Sequence, residues 1–192
     1  AGKTTVTNLL AEKYGLSVFP DRHSEYQQIA DKAEFPAMRI PSPGTDWEWF
    51  FNRPTDEYVR WLEESLSAEL EFQIVDLLKT SDGEQLIVDT CADPLALHQI
   101  SAPSRVICLF GDDDLIRRDL SHRDDHKMIL DCIRANTASP DTSERLVAES
   151  GVEFSHRLQK RAEASEGKIL RRTDRTAPDE LLARVEKHFR LI

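Results

Sequence analysis

Apolar positions along this chain recur in two rhythms, and the rhythms alternate. Helical spacing comes first: Val6, Leu9 and Leu10 lie between Lys3 and Tyr14, with Gly15 where a left-handed residue ends a helix. The apolar run at 16 to 20 then reads as a buried strand ending at Asp21. A short helix is expected around 24 to 32. Thr55 caps a long helix reaching about residue 80 on the stripe Tyr58, Leu62, Leu66, Leu70, Ile74, Leu77 and Leu78. Residues 85 to 90 and 105 to 110 read as two further strands, separated by a short helix over 94 to 101. Helices through 114 to 118, 126 to 134 and 143 to 164 follow, with Gly151 a point of interruption in the last. Residues 168 to 172 make a final strand. Pro178 then stands in the first turn of a closing helix carrying Leu181, Leu182, Val185 and Phe189.

One stretch keeps neither rhythm. Residues 35 to 54 hold four prolines, one glycine and the cluster Trp47, Trp49, Phe50 and Phe51, which reads as a loop too aromatic for an idle linker. Elsewhere, apolar strands alternating with helices predict a parallel sheet covered on both faces. The 192 residues show no repeat and no low-complexity linker, so a single domain is expected, 1 to 192.

Composition narrows the partners. Thirty-five acidic against twenty-five basic residues give a net charge of −10, which disfavours a nucleic-acid polymer as partner. A nucleotide pocket needs only a few well-placed cations and is not disfavoured. Apolar runs such as 106 to 110 are too short to span a membrane. Three widely spaced cysteines without a C-x-x-C pair point to a reducing compartment, so a cytoplasmic location is expected. A homodimer is left open.

The chemistry gathers at the start. Ala-Gly-Lys-Thr-Thr-Val at 1 to 6 matches the second half of a G-x-x-x-x-G-K-[ST] loop. N–H groups at a helix start converge on one point, where the helix dipole favours an anion. Gly2, Lys3, Thr4 and Thr5 are the expected cradle for a nucleoside triphosphate: Lys3 on the outer phosphates, the Thr4 hydroxyl on Mg²⁺. The first glycine and a preceding strand, some ten residues, are expected upstream of Ala1.

Given that loop, the strand ends at Asp21 and Asp89, and the arginines that follow 105 to 110, the chain resembles the nucleoside monophosphate kinase and shikimate kinase branch of P-loop kinases, with features of deoxynucleoside kinases. The resemblance implies an α/β fold in three layers, a five-stranded parallel sheet in the order 2-3-1-4-5 whose first strand is missing from this chain, and an arginine-bearing lid over 112 to 135. It implies ATP and Mg²⁺ as cofactors. Asp21 would contact the acceptor hydroxyl or the metal, a carboxylate there being able to take the acceptor's proton, and Asp89 would order Mg²⁺ with Thr4. Arg117, Arg118 and Arg123 would neutralise the migrating phosphoryl group, and Arg175 would lie beside adenine.

Acceptor recognition falls within 35 to 80. Trp47, Trp49, Phe50 and Phe51 could stack on a planar ring, Arg53 could grip a phosphate or carboxylate, and Tyr58 and Gln73 lie on the long helix, where Gln73 could read a base edge. Plainer readings stand beside these. Asp21 and Asp93 serve equally as helix caps, the arginine run as a solvated salt-bridged face, and the aromatics as loop packing. The resemblance also breaks. Thr90-Cys91-Ala92-Asp93 replaces the glycine triplet of shikimate kinases, and the acidic-Arg-Ser signature of deoxynucleoside kinases is absent. A nucleoside or nucleotide is the favoured small-molecule acceptor. A shikimate-, sugar- or antibiotic-type acceptor, a non-catalytic nucleotide-binding regulator, and a helical scaffold with a chance Gly-Lys-Thr are the alternatives.

Overall fold

The computed structural model describes residues 2–38, 45–80, 85–122 and 126–191. Helix α1 (Lys3–Tyr14) opens on Gly2 at φ 85° and closes on Gly15 at φ 65°, both left-handed positions that disfavour a Cβ. Strand β1 (Ser17–Val18), α2 (His23–Ile29), a 3-10 turn at Pro36–Met38, α3 (Trp47–Asn52) and α4 (Thr55–Leu77) follow. Then come β2 (Leu86–Ile87), α5 (Pro94–Ile100), β3 (Ile107–Gly111), α6 (Asp113–His122), α7 (Lys127–Asn136), α8 (Pro140–Ala164), β4 (Lys168–Arg172) and α9 (Pro178–Phe189).

The five-stranded sheet is not what forms. Of the described residues 67% are helical, and the strands among them make only two short parallel pairs, β1 with β2 and β3 with β4. The physical reason lies in burial. A parallel ladder is stable where both faces are covered. Only β3–β4 meets that condition: Leu109 and Leu170 lean on Val6, Leu10, Leu181 and Val185 of α1 and α9, while Cys108 and Phe110 lean on Ala162 and Leu158 of α8. Its register runs from Ile107 opposite Lys168 to Gly111 opposite Arg172. In β1 both Ser17 and Val18 are exposed, and the β1–β2 ladder stops after two residue pairs. Two further buried clusters lie between helices: Tyr26, Ala30 and Ala68 with Met38, and Phe51 with Ile133 and Val147.

Three local expectations also change. The aromatic stretch holds a helix, α3, because the Asp46 carboxylate accepts the Trp49 N–H at 2.9 Å and caps it. Helix α8 runs unbroken through Gly151, where an added Cβ would make only an ordinary contact with Ile116 of α6 at 3.6 Å. Along α4 the buried face is carried by Val59, Ala68 and Leu70, whereas Leu78, at the end of the expected stripe, is 81% exposed.

A charged clamp holds α4 against α8. Arg157 donates to Asp56 at 2.5 Å and to Glu153 of its own helix at 2.8 Å, and Arg161 donates to Asp93 at 3.2 Å and forms an ion pair with Glu63 at 2.9 Å. Asp93 also accepts the Leu95 N–H at 2.8 Å, so its role is the helix cap of α5 together with this tether. Among the described residues no helix is long and apolar enough to cross a membrane.

Candidate phosphate-binding site

The start of α1 carries no acidic residue in its first turn, so its N–H groups and dipole are not neutralised locally. Lys3 and Thr4 project from this turn toward the segment that leaves β2. Thr4 Oγ1 donates to Asp89 Oδ2 at 2.7 Å, and Lys3 Nζ lies 3.9 Å from Asp89 Oδ1 and 3.3 Å from Cys91 Sγ. Residues some eighty-five positions apart are thereby brought together at one helix start.

A second cation borders the site. A Cβ on Gly2 would lie 3.2 Å from Nη1 of Arg172 and 3.6 Å from Leu181, so the last residue of β4 presses its guanidinium against the turn. Neither Arg172 nor Cys91 is among the site residues expected from the sequence. Arg172 has one signal that could have found it: it ends a strand of the pair that packs on α1, where ligands bind in open α/β sheets.

Thr4 and Asp89 offer hard oxygen donors, which suit Mg²⁺, an ion that keeps several waters and takes one or two protein oxygens beside phosphate. Among the described residues no group of three or more His, Cys, Asp or Glu side chains converges as a metal cage. Any divalent ion here would therefore share its coordination with phosphate and water.

Asp21 and Asp89 leave the same end of the β1–β2 pair, since Phe19 N–H bonds Ile87 C=O at 2.9 Å. Asp21 nevertheless acts locally, accepting the His23 N–H at 3.0 Å. Behind it runs a polar chain. His23 Nδ1 meets Glu69 Oε2 at 2.7 Å, Gln73 Nε2 donates to Glu69 Oε1 at 2.9 Å, and Thr90 Oγ1 donates to Gln73 Oε1 at 3.3 Å. A carboxylate only accepts, so the His23 proton resides on Nδ1 in the neutral ring, which leaves Nε2 to accept from the Gln27 amide at 2.7 Å. The hydrogen bond to Glu69 raises the His23 pKa against the lowering effect of burial, and the charges of Glu69 and Asp21 add to the rise. Gln73 is thus engaged with protein groups next to Asp89.

The arginines are held apart. Arg117 grips Glu149 through Nε and Nη2 at 2.8 and 3.0 Å, facing α8. Arg118 grips Asp174 at 2.8 and 2.5 Å, on the side of Arg172. These bonds raise both guanidinium pKa values and hold the Glu149 and Asp174 carboxyls below their usual range. Arg123 lies outside the described residues. Arg175 is exposed in the loop after β4, its N–H on Thr173 Oγ1 at 3.3 Å. The arginines of 112 to 119 thus belong to helix-surface ion pairs, and the expected lid is not seen among the described residues.

No protein-family profile, curated protein or solved structure matches this chain.

The residues expected to recognise the acceptor separate into two places. Gln73 stands beside Thr90 and Asp89. Trp47, Trp49, Phe50, Arg53 and Tyr58 assemble at the opposite end of α4, which between Thr55 and Gln73 is about 27 Å long at 1.5 Å per residue. There Trp47 stacks on Phe51 at 5.7 Å, and Phe50 meets Trp61 edge-on at 5.2 Å.

Proposed function

We propose that this chain binds the polyphosphate of a nucleoside triphosphate at the start of α1 and transfers its terminal phosphoryl group to a small molecule, with a nucleoside or nucleotide as the favoured acceptor. The observation that carries this is the meeting of Thr4 and Lys3 with Asp89. A hydroxyl, an ammonium group and a carboxylate converge where backbone N–H groups already favour an anion. Lys3 and Arg172 supply positive charge for the phosphates. Thr4 and Asp89 are the residues that would hold Mg²⁺, which screens the phosphate charge when bound. In the transfer, the acceptor oxygen bonds to the γ-phosphorus as the bond to the β–γ bridging oxygen breaks. The nucleoside diphosphate leaves with that electron pair, and the hydroxyl proton passes to a carboxylate at the strand ends, Asp21 being the candidate. Acceptors of shikimate, sugar or antibiotic type use the same phosphate site. Three free thiols suit a reducing cytoplasm.

The test is Lys3→Ala, with ADP release followed over a panel of nucleosides, nucleotides, sugars and aminoglycosides. Turnover is expected to fall to background with an unaltered circular dichroism spectrum. Turnover equal to the parent refutes the assignment. One observation favours a second reading, nucleotide binding without transfer: Arg117 and Arg118 are both engaged by carboxylates and not directed at the phosphates. That reading predicts nucleotide-dependent stabilisation with no ADP release for any acceptor.

A further inference from the structure

Arg53 is the least explained charge in the molecule. It is only 7% exposed, yet Nε and Nη2 of its guanidinium are buried without a hydrogen-bond partner. Its central carbon lies 4.4 Å from the Phe50 ring, 4.6 Å from Tyr58, 4.8 Å from Trp61 and 5.6 Å from Trp49. Aromatic faces attract a cation, but they do not replace the hydrogen bonds that a guanidinium loses on leaving water. Desolvation accordingly lowers the Arg53 pKa, and only the weaker fields of Tyr58 and Glu57 oppose it. Buried guanidinium groups are ordinarily matched by a carboxylate or phosphate, and this one has none among the described residues. The box also has an open wall: Trp49 is 56% exposed, although it packs over the same guanidinium.

We infer that the Arg53 box is a binding site for an oxyanion, carboxylate or phosphate, carried on a planar ring. The Nε–Nη2 edge of Arg53 receives the anion after a small displacement of the rings that cover it, and the ligand ring stacks on Trp49. Arginine suits this task because its fork of donors matches two oxyanion oxygens at once. The exposed indole supplies the apolar face that a bare anion would leave unused. The site lies at the far end of α4 from Gln73 and Asp89, so it neither requires nor tests phosphoryl transfer.

The chain reports on this site directly. All three tryptophans, Trp47, Trp49 and Trp61, lie in or against the box, so intrinsic fluorescence reads it alone. The experiment titrates the protein with benzoate, benzamide, uridine 5′-monophosphate, uridine and inorganic phosphate, following tryptophan emission and melting temperature. Benzoate or the monophosphate should shift the emission saturably, with the uncharged partner of each roughly tenfold weaker or more. The benzoate and monophosphate arms tell which oxyanion is preferred. Arg53→Met should abolish the response while melting at the parental temperature or above it, because a buried unpaired charge is replaced by an apolar chain of similar length. Arg53→Lys, which keeps charge but loses the fork, should weaken binding at least tenfold. Lys3→Ala should bind as the parent does. The inference is overturned if no probe changes the emission at millimolar concentration, or if Arg53→Met and Arg53→Lys both bind as the parent. It is also overturned if inorganic phosphate alone matches the ring-bearing anions. A fall in melting temperature for both Arg53 variants, with no ligand response in the parent, would make Arg53 a structural staple of the rings.

Discussion

The Thr4–Asp89 hydrogen bond allows a sharp test, because its value to the fold and its value to nucleotide binding differ. Hydrogen bonds to charged groups are worth about 1.5–3 kcal/mol when sheltered. Thr4 is exposed and the Asp89 side chain is 20% exposed, so solvent screening reduces the contribution of this 2.7 Å bond to below about 1 kcal/mol. Thr4→Val and Asp89→Asn should therefore cost the unliganded protein a few degrees at most. With nucleotide at a hundred times its dissociation constant, binding stabilises a protein by about 2.7 kcal/mol. At about 2–4 °C per kcal/mol for a chain of this length, that is a rise of roughly 5–11 °C. Differential scanning fluorimetry with ATP, with and without Mg²⁺, should show most of this rise depending on Mg²⁺ in the parent and lost in each variant. Because both substitutions remove the same ion site, the double variant should lose no more than either single one. Retention of the full Mg²⁺-dependent rise in Thr4→Val, or additive losses in the pair, would refute the assignment. A drop of more than about 2 kcal/mol without ligand would make the bond a structural one instead.

Two further expectations concern the frame around the site. Leu10 is 1% exposed between α1, α9 and β4, and Leu10→Ala should cost about 2–5 kcal/mol in urea unfolding, since a rigid core collapses only partly around the lost atoms; a loss under about 1 kcal/mol would mean that α1 is not docked there. His23 should make stability depend on pH. Its folded pKa is raised by the Glu69 carboxylate, so its contribution is fully present below the ordinary value near 6.5 and is lost as pH rises through the raised value. Unfolding free energy should therefore decline as pH rises above the ordinary value near 6.5 in the parent and be flatter there in His23→Gln. An equal slope in the two proteins would refute the ion pair.

Much of the secondary structure was legible because it follows from short-range rules. Gly15 ends α1, Pro178 opens α9, and residues 168 to 172 form β4 as their pattern predicts, each set by backbone freedom or local periodicity. The same rules carry no information on what a strand will find beside it. Runs 16 to 20 and 85 to 90 have a strand's composition, yet each is paired over only two residues, because flanking strands and cover on both faces are properties of the assembled chain. Helix α3 is hidden for a different reason: four prolines break the apolar rhythm of 35 to 54, and the Asp46 cap becomes evident only in the folded chain.

For the candidate site, the residues from Gly2 to Thr5 and Asp89 could be picked out by type and spacing, since a phosphate loop and an acidic strand end are local signatures. That Thr4 touches Asp89, that Arg172 presses on Gly2, and that Arg117 and Arg118 are claimed by Glu149 and Asp174 could not be read from the pattern. Those facts depend on which helix faces meet across the core. Arg53 shows the division most clearly. Sequence alone could say that it neighbours aromatic residues, whereas its burial without a counter-ion was decided by the packing of α3 against α4, which removes water from a charge that no local rule marks as buried.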